Sequence, residues 1–513
     1  MALLLALPTL AWADESKGKA EHVVMVVFDG MRPDLVNDHN APTLSALAQS
    51  GVFFKNNRAA YPSSTNVNGA VFATGVIPGK NGVIGNQEYR VEVDRAKPFD
   101  TADFPGLEAA DRKISQSYFA MPTVAEILHL AGDPTAIVGS KPVAQFFDRS
   151  RDRNSEAATK SAVVYRGKVI SPAWKEKIEA AIGPFPVRKS FPNEAEDGWT
   201  TRALTEVLWK VGVPKFSLLW LSEPDLSEHQ SAPGSPLALA AIKSSDEMLA
   251  RIRGALEAKN ALASTDIIVV SDHGFSTVDR VVDAAERLRG AGFDAARSLP
   301  EKPKAGQILV VTLGGSIEFY VFEHDTAVIS RLVDFLQRSD FAGVIFTRRW
   351  HQGTFTLAQG QVDSPNAPDV MVACRWNDQP NEYGVTGQVA SDLGRVLGEG
   401  THSTLSPHDM GNTLIAAGPD FRSGWTDNTP SGNIDVAPTI LWLLGQKAPH
   451  SLDGRVLHEA MRGASSAPAA KTHELVAQRD LGDSTWHQTL RLTTVENSTY
   501  LVEGNGERRP KTP

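Results

Sequence analysis

The chain has 513 residues with a formal net charge of −9, and its hydrophobic (42%) and charged (22%) fractions are those of a soluble globular protein. The acidic balance leaves no basic surface for duplex nucleic acid, and past the N-terminus no stretch is long and apolar enough for a membrane-spanning helix. The single cysteine, Cys374, lies in the apolar run VMVAC, which excludes an internal disulfide and a thiolate metal cluster and indicates a buried core position.

The first residues, MALLLALPTLAWA, form a short apolar run that ends in Ala11-Trp12-Ala13. This pattern is typical of a signal peptide with an A-x-A cleavage site, although the usual basic residues before the apolar run are missing. A run of about ten apolar residues is too short to span a bilayer. We therefore expect residues 1–13 to be a signal peptide and the protein to be periplasmic or secreted, with a disordered N-terminus as the alternative.

Strands and helices alternate along much of the chain. Four continuous apolar runs without polar alternation predict strands buried on both faces. These runs are HVVMVVF (22–28), PTAIVGS (134–140), KFSLLWL (215–221) and TDIIVVS (265–271). The helical segments between them are 41–50, 121–132, 201–212 and 237–259. This order predicts an α/β fold with a doubly wound, mostly parallel sheet and helices on both faces.

Three segments interrupt this alternation and are predicted to be insertions in a catalytic domain spanning 14–465. They lie at about 88–118, 145–200 and 276–400. The third carries short strand-like runs (QILVVTL, SIEFYVF and PDVMVAC), so we expect an α+β lid or subdomain there. Residues 466–513 are predicted to be a C-terminal tail with a possible β-hairpin.

The segment YPSSTNVNGAVFATG (61–75) has the pattern of a short helix with a glycine stop after a Pro-Ser-Ser turn. Thr65 then lies at or beside the N-cap, where free backbone N–H groups and the helix dipole favour anions. A hydroxyl at this position can attack an anionic substrate that the helix end holds. The alternative is that Thr65 is an ordinary helix cap.

Three of the predicted strands are followed by acids. HVVMVVF ends at Asp29, KFSLLWL leads to Asp225 with His229 four residues later, and TDIIVVS leads to Asp272-His273. Ligand sites of open α/β sheets lie outside the carboxyl ends of the strands, so we expect these side chains to converge.

Another candidate is His402, just before the strand NTLIAAG. Aspartate and histidine without thiolate suit zinc or a similar divalent ion. Three Asp, three His and the Thr65 oxygen would supply seven ligands, enough for two metals. Taken singly, a strand-terminal Asp can be a helix cap and a lone His can be structural.

These motifs together resemble the alkaline phosphatase superfamily, and within it the branch of type I phosphodiesterases and nucleotide pyrophosphatases. The matching segments, in family order, are VVFDGMRPD, YPSSTN, EPDLSEH, SDHGF and GTHS, followed by AAGPDF and DVAPTILWLLG. The resemblance extends from about residue 22 to 460 and fails in the insertions. It implies the alkaline-phosphatase-like fold and a metal-dependent phosphoric ester hydrolase.

The resemblance also implies roles for individual residues. One zinc would be held by Asp29, Thr65, Asp272 and His273, and a second by Asp225, His229 and His402. Thr65 would be the nucleophile and form a phosphothreonine intermediate in the cleavage of a phosphodiester or pyrophosphate bond. Asn86 would donate to a phosphoryl oxygen. The implied substrate is a small phosphate ester or nucleotide-like molecule, and the oligomeric state stays open.

Some positions depart from the family pattern. Ser403 stands where the family often has a glycine, in GTHS. Lys141 matches a lysine of some monoester- and phosphonate-cleaving relatives, but their second basic residue is replaced by Val143. Lys141 could thus be catalytic or a solvated loop residue. His408 could be a loop histidine, a group behind the ligands or a substrate contact, and we favour the first.

A phosphomonoesterase or phosphonate hydrolase of the same superfamily is the main alternative, because Lys141 could meet the extra charge of a monoester. A sulfatase would need a C/S-x-P-x-R segment, which Ser63-Ser64-Thr65-Asn66-Val67 does not provide. A non-catalytic metal-binding protein would be expected to lack a ligand or the nucleophile, whereas all seven positions are filled.

Overall fold

A computed structural model describes residues 17–103, 118–150, 153–464 and 466–511. The predicted signal peptide, residues 1–13, lies outside the described residues. Among the helices of the described chain, none combines the length and the apolar character needed to cross a membrane.

The described strands form one large sheet and several smaller ones. In chain order they are β1 His22–Phe28, β2 Val52–Phe54, β3 Asn57–Arg58, β4 Gln87–Glu88, β5 Phe99–Asp100, β6 Thr135–Gly139, β7 Ala162–Tyr165, β8 Lys168–Val169, β9 Phe216–Leu221, β10 Thr265–Val270, β11 Ser276–Val282, β12 Ala295–Ala296, β13 Ile308–Thr312, β14 Ser316–Val321, β15 Ala342–Thr347, β16 Phe355–Thr356, β17 Val370–Cys374, β18 Trp376–Pro380, β19 Thr386–Asp392, β20 Gly400–Thr401, β21 Leu414–Ala417, β22 Trp425–Asp427, β23 Ser431–Gly432, β24 Ala470–Asp480, β25 Ser484–Val495 and β26 Ser498–Pro510.

The described α-helices are, in chain order, α1 Pro42–Ser50, α2 Thr65–Thr74, α3 Pro78–Asn81, α4 Val124–Leu130, α5 Glu156–Lys160, α6 Pro172–Ile182, α7 Glu194–Arg202, α8 Asp225–Gln230, α9 Pro236–Ala258, α10 Ala284–Gly290, α11 Thr326–Arg338, α12 Pro407–Met410 and α13 Val436–Leu443. A 3-10 helix, Pro142–Phe147, follows β6. The helix predicted at 201–212 begins earlier, as α7, and continues through a π-helical turn at Ala203–Val207.

The main sheet has nine strands in the order β22-β2-β21-β10-β1-β9-β6-β7-β8. Its centre is parallel: β1 pairs in parallel with β10 and β9, and β6 pairs in parallel with β9 and β7. β21 runs antiparallel to β10. Because the central strands are parallel, β1, β9 and β10 end at the same edge of the sheet.

Helices cover both faces of this sheet, and alternate residues of β1 separate the two cores. Val23, Met25 and Val27 pack on one side with side chains of α2, α4 and α13. Val24 and Val26 pack on the other side with side chains of α1, α7 and α9. The predicted α/β fold, with a mostly parallel sheet between two helical layers, is confirmed.

Residues 276–400 form further sheets beside the main one. A six-stranded sheet has the order β12-β13-β14-β17-β15-β16, and a four-stranded sheet has the order β18-β19-β11-β20. Helices α10 and α11 pack on the six-stranded sheet around the apolar core that contains Cys374. We call residues 276–400 the inserted subdomain. Of the other predicted insertions, residues 145–200 contribute β7 and β8 to the main sheet.

The C-terminal segment forms an antiparallel three-stranded sheet, β24-β25-β26. Trp486 is fully buried in the core of the inserted subdomain, and its indole N–H donates to the Gly353 carbonyl (3.0 Å). The Tyr500 hydroxyl donates to Asp435 Oδ2 (2.9 Å), just before α13. The segment is thus bound to two parts of the fold.

A buried acid pair lies at the opposite edge of the main sheet from the ends of β1, β9 and β10. The Asp420 N–H donates to Asp266 Oδ1 (3.3 Å) at the start of β10. Burial, together with the charge and hydrogen bond of Asp420, raises the pKa of Asp266 to about 8. The unfolded chain releases this proton at about pH 4, whereas the folded protein keeps it up to about pH 8. The free energy of unfolding should therefore fall as the pH rises from about 4 to about 8.

Asp266→Asn should remove this titration. We expect the variant to gain stability relative to the wild type as the pH is raised from about 5 to about 9, by at least about 1.4 kcal/mol, the equivalent of one pKa unit. Urea unfolding of both proteins across this range measures the difference. A difference that stays constant with pH would contradict the assignment.

Candidate metal centre beside Thr65

The carboxyl ends of β1, β9 and β10 bring three aspartates to one buried edge. Asp29 directly follows β1, Asp225 is the first residue of α8 after β9, and Asp272 lies two residues past β10. All three side chains are buried. The Asp225 N–H donates to the Asp29 carbonyl oxygen (3.0 Å), so backbone contact also joins two of these segments.

Gly30 allows the segments to approach this closely. Its φ of 77° is left-handed, and an added Cβ would lie 3.1 Å from the Asp225 Cβ and 3.0 Å from the Phe275 ring. The Gly30 N–H donates to Asp272 Oδ1 (3.0 Å). The glycine in the VVFDG segment is therefore required both by the turn and by the space around it.

Each of the three predicted histidine ligands is oriented by a backbone carbonyl. Nδ1 of His229 lies 2.9 Å from the Gly400 oxygen, Nδ1 of His273 lies 2.9 Å from the Gly274 oxygen, and Nδ1 of His402 lies 2.9 Å from the Ser63 oxygen. A carbonyl can only accept, so Nδ1 carries the proton and Nε2 presents its lone pair. This is the arrangement by which proteins orient metal-ligating imidazoles.

The three Nε2 atoms converge on Asp225 Oδ1. They lie 3.3 Å (His229), 3.5 Å (His402) and 3.9 Å (His273) from that oxygen. His273 Nε2 is also 3.3 Å from Asp272 Oδ2 and 3.7 Å from Asp29 Oδ1. Two sets of ligand atoms are close enough to hold an ion, Asp225-His229-His402 and Asp29-Asp225-His273. Asp225 belongs to both.

Two carboxylate oxygens of this cluster have no hydrogen-bond donor within the described chain. They are Asp225 Oδ1 and Asp272 Oδ2, whereas Asp29 Oδ1 faces the Lys141 ammonium (2.9 Å). Burial and the neighbouring Asp272 raise the pKa of Asp29 well above its usual value. Burial also lowers the pKa of His229 and of His402. Buried carboxylates beside neutral imidazoles are the donor set that a divalent cation satisfies.

Lys141 reaches the same cluster. Its ammonium lies 2.6 Å from Asp225 Oδ2 and 2.9 Å from Asp29 Oδ1, and its side chain is 16% exposed. Burial alone would lower the pKa of Lys141, but Asp225 and Asp29 outweigh this and raise it. Burial would likewise raise the pKa of Asp225, and Lys141 and His229 hold it well below its usual value. Lys141 is therefore paired with the acids, unlike a solvated loop lysine.

Thr65 is the first residue of α2, after the N-cap Ser64. Its Oγ1 lies 3.3 Å from His273 Nε2, so the hydroxyl is next to the ligand cluster. Asn86 Oδ1 accepts the Asn66 N–H (2.8 Å), which fixes the amide beside the same helix end. Among the described residues no hydrogen-bond partner is present for Asn86 Nδ2, which is therefore available to a ligand.

Phe275 packs against the three predicted histidine ligands, with ring-centroid distances of 4.9 Å to His229, 5.3 Å to His402 and 5.8 Å to His273. Arg32 supports Phe275 from behind by donating to its carbonyl oxygen (2.8 Å).

His408 belongs to this supporting layer. Its Nδ1 is 3.3 Å from the Arg32 guanidinium and its Nε2 is 3.0 Å from Asp378 Oδ1. These contacts make His408 a packed residue behind the ligands, whereas the sequence favoured a loop histidine.

Two side chains near the ligands were not foreseen from the sequence. The Trp220 indole N–H donates to Asp29 Oδ2 (2.7 Å) from within β9.

Arg395 lies on the loop before Gly400, is half-buried, and makes no hydrogen bond or ion pair to any residue of the described chain. After burial, its charge further lowers the pKa of His229. The sequence signal for Trp220 was only its place near the end of an apolar strand.

The fold and this site can now be compared with known proteins. The family model for type I phosphodiesterase / nucleotide pyrophosphatase matches residues 23–388. Similar curated proteins include the mouse ectonucleotide pyrophosphatase/phosphodiesterase family member 3 (23% identical; 50% of this chain and 26% of that protein). Venom phosphodiesterase 2 of Crotalus adamanteus is also 23% identical (53% of this chain, 29% of that protein). The human family member 7 is 22% identical (55% and 53%).

The chain thus spans between 26% and 53% of the length of these relatives. Among solved structures, human ectonucleotide pyrophosphatase/phosphodiesterase 5 shares the fold with a TM-score of 0.59 at 15% identity, covering 86% of this chain and all (100%) of that one. The murine protein 5, solved as an inactive variant in complex with AMP, has a TM-score of 0.55 at 16% identity, covering 84% and 97%. The extent of the family match, with the fold in agreement, shows that this chain belongs to the type I phosphodiesterase/nucleotide pyrophosphatase family.

Proposed function

We propose that this protein hydrolyses phosphodiester or pyrophosphate bonds of small nucleotide-like molecules, through a covalent phosphothreonine at a two-zinc site. The observation that carries the proposal is the arrangement around Asp225: three imidazoles with Nδ1 tied to carbonyls direct Nε2 toward one carboxylate, beside the Thr65 hydroxyl. Family membership supports the same reaction class.

The residues present fit two divalent ions, because the cluster contains buried acid oxygens without donors and imidazole nitrogens with free lone pairs. Asp29, Thr65, Asp272 and His273 would hold one ion. Asp225, His229 and His402 would hold the other. Bound ions would lower the pKa of the Thr65 hydroxyl and neutralise charge on the attacking and leaving oxygens.

The covalent chemistry then belongs to Thr65. Its hydroxyl proton passes to solvent, Oγ1 attacks the phosphorus, and the bond from phosphorus to the leaving oxygen breaks, so that the leaving group departs with the bonding electrons and phosphothreonine forms. Water next attacks the phosphorus from the vacated side and gives up a proton to solvent, the phosphorus–Oγ1 bond breaks, and Oγ1 takes a proton back from solvent. Asn86 Nδ2 donates to a non-bridging oxygen in both steps and so stabilises the developing charge.

A diester is favoured over a monoester by the surroundings of Lys141. Its ammonium is already paired with Asp29 and Asp225, so it has little charge to offer an additional phosphoryl oxygen. Val143 is fully buried and packs against Gly69 of α2, where an added Cβ would collide with it. Neither residue thus supplies the added positive charge that a dianionic monoester requires.

Arg395 favours the alternative, a phosphomonoesterase or phosphonate hydrolase. Its guanidinium is unpaired within the described chain and close enough to His229 to affect that residue's pKa. A guanidinium near this cluster could meet the extra charge of a monoester. The same group could instead hold a further phosphate of a pyrophosphate substrate.

The proposed substrate and location draw on the relatives. The murine structure in complex with AMP is an inactive variant in which a threonine is replaced by alanine, which is consistent with a threonine nucleophile here. Relatives named ectoenzymes and venom enzymes support a secreted or periplasmic protein.

Thr65→Ala should abolish phosphoryl-enzyme formation and lower kcat by at least about a thousandfold, because the variant lacks the attacking oxygen. Acid-quenched enzyme analysed by intact-mass spectrometry detects the adduct. Thr74→Ala, at the other end of α2, is the matched control and should keep both adduct and turnover. A Thr65→Ala enzyme that still forms the adduct would remove the assignment.

Trp220→Phe should weaken zinc binding about 10- to 100-fold, because the variant loses the N–H that orients Asp29. Trp209→Phe is the control, since the buried Trp209 indole N–H donates to Ser217 Oγ (3.0 Å) and not to a predicted metal ligand. Calorimetric titration of the metal-free proteins with Zn²⁺ gives both affinities. Equal affinities in the two variants would show that the Trp220 bond is irrelevant to the metal.

A substrate panel should separate the two candidate reactions. We expect bis-p-nitrophenyl phosphate and a nucleotide pyrophosphate to exceed p-nitrophenyl phosphate and a phosphonate in kcat/KM by at least about tenfold. Arg395→Ala then tests the alternative, with Arg280→Ala, an exposed arginine paired with Asp340, as control. A selective loss of monoester turnover in Arg395→Ala would favour the phosphomonoesterase.

A further inference from the structure

Ser403 has a backbone conformation that usually selects glycine. Its φ is 82°, in the left-handed region where a side chain is sterically disfavoured. The residue is fully buried and directly follows the ligand His402. A glycine would adopt this backbone conformation at a lower steric cost than the serine does. The group that only the serine supplies is its hydroxyl.

The Ser403 hydroxyl meets the segment that carries the nucleophile. Its Oγ lies 2.6 Å from the Oγ of Ser64, the N-cap residue of α2. The neighbouring Ser63 Oγ donates to the Thr404 carbonyl (2.9 Å), and the Ser63 carbonyl accepts from His402 Nδ1. Three hydrogen bonds therefore join Ser63-Ser64 to residues 402–404.

The inserted subdomain holds the other side of residues 402–404. The Ser316 hydroxyl donates to the Ser403 carbonyl (2.5 Å), and the Gly315 N–H donates to the His402 carbonyl (3.0 Å). The Tyr61 hydroxyl lies 3.1 Å from Ser316 Oγ, which closes the network back to the nucleophile segment. Because all these groups are buried, loss of one partner leaves another unsatisfied.

We propose that Ser403 is a positioning residue: its hydroxyl fixes Ser64, and through it Thr65, relative to the His402 side of the metal centre. The proposal rests on the proposed function, because it assigns Thr65 as the nucleophile. Thr65 is covalently next to Ser64, so freedom at Ser64 changes the place of Oγ1, and small displacements of a reacting group reduce rates strongly.

Ser403→Gly and Ser403→Ala separate the hydroxyl from the backbone. Both variants lose the bond to Ser64, but only glycine adopts the left-handed conformation without steric cost. We expect both to lower kcat on bis-p-nitrophenyl phosphate about three- to thirtyfold, with KM changed less than about twofold. The thermal midpoint of Ser403→Gly should exceed that of Ser403→Ala. Wild-type kcat in Ser403→Gly would overturn the proposal.

Ser64→Ala removes the same bond from the other side. The double variant Ser64→Ala/Ser403→Ala should be no slower than Ser403→Ala, because Ser403→Ala already removes the Ser64–Ser403 bond together with the contact of Ser403 Oγ with His402 Nδ1 (3.1 Å). Rate losses that multiply would overturn the proposal. Glu496→Gly is the conformational control: it relieves a left-handed residue (φ 53°) in the turn between β25 and β26 and should leave kcat unchanged.

Failure of the proposed function would be seen separately, as a wild-type protein that turns over no substrate of the panel. The same variants are then compared by their affinity for orthovanadate, a phosphate mimic, measured calorimetrically on zinc-loaded protein. Weaker vanadate binding in Ser403→Gly and Ser64→Ala alike supports the positioning role. Unchanged affinity in both variants, or absence of binding to the wild type, overturns it.

Discussion

The site depends on the cost of placing three carboxylates at one buried edge of a parallel sheet. Asp29, Asp225 and Asp272 come together because β1, β9 and β10 are parallel and end side by side. Mutual repulsion and lost hydration would oppose folding unless positive charge is present. Lys141 supplies one such charge within the chain, and the unpartnered carboxylate oxygens indicate where cations would supply the rest. Cations bound to these carboxylates would in turn present positive charge to the anionic phosphoryl group of the proposed substrate.

Much of this arrangement was predictable from the sequence, because it follows from strand order and local pattern. Continuous apolar runs that end in an acid predict which acids gather at the edge of a parallel sheet, and a Pro-Ser-Ser turn before a glycine-terminated run predicts the start of α2 at Thr65. The long-range partners were not predictable. Trp220 reaches Asp29 only through the register of β9 on β1. Arg395, in the inserted subdomain, influences the pKa of His229 in α8, which is distant in the sequence. No local signal encodes such contacts.

Ser403 illustrates a third case, in which the sequence showed a difference but not its meaning. A serine in place of the usual glycine can be read as a loss. In the fold it retains the left-handed backbone and adds a hydroxyl that faces Ser64. His408 is similar, since it contacts Arg32, which lies 376 positions earlier in the sequence. Single-residue motifs therefore locate the clustered Asp and His side chains better than they locate the groups that hold those side chains in place.

The C-terminal sheet has a mechanical consequence. It contacts the inserted subdomain through Gln488, whose amide oxygen accepts the Ile345 N–H (2.9 Å), and it contacts the segment after His402 through the Gly504 N–H, which donates to the Leu405 carbonyl (2.9 Å). The C-terminal sheet is thus bonded both to the inserted subdomain and to the segment after His402. A hinge motion that separated these two parts would break the bond of the Gln488 side chain to Ile345 or the backbone bond of Gly504 to Leu405. The C-terminal sheet therefore resists rotation of the inserted subdomain away from the segment that carries His402.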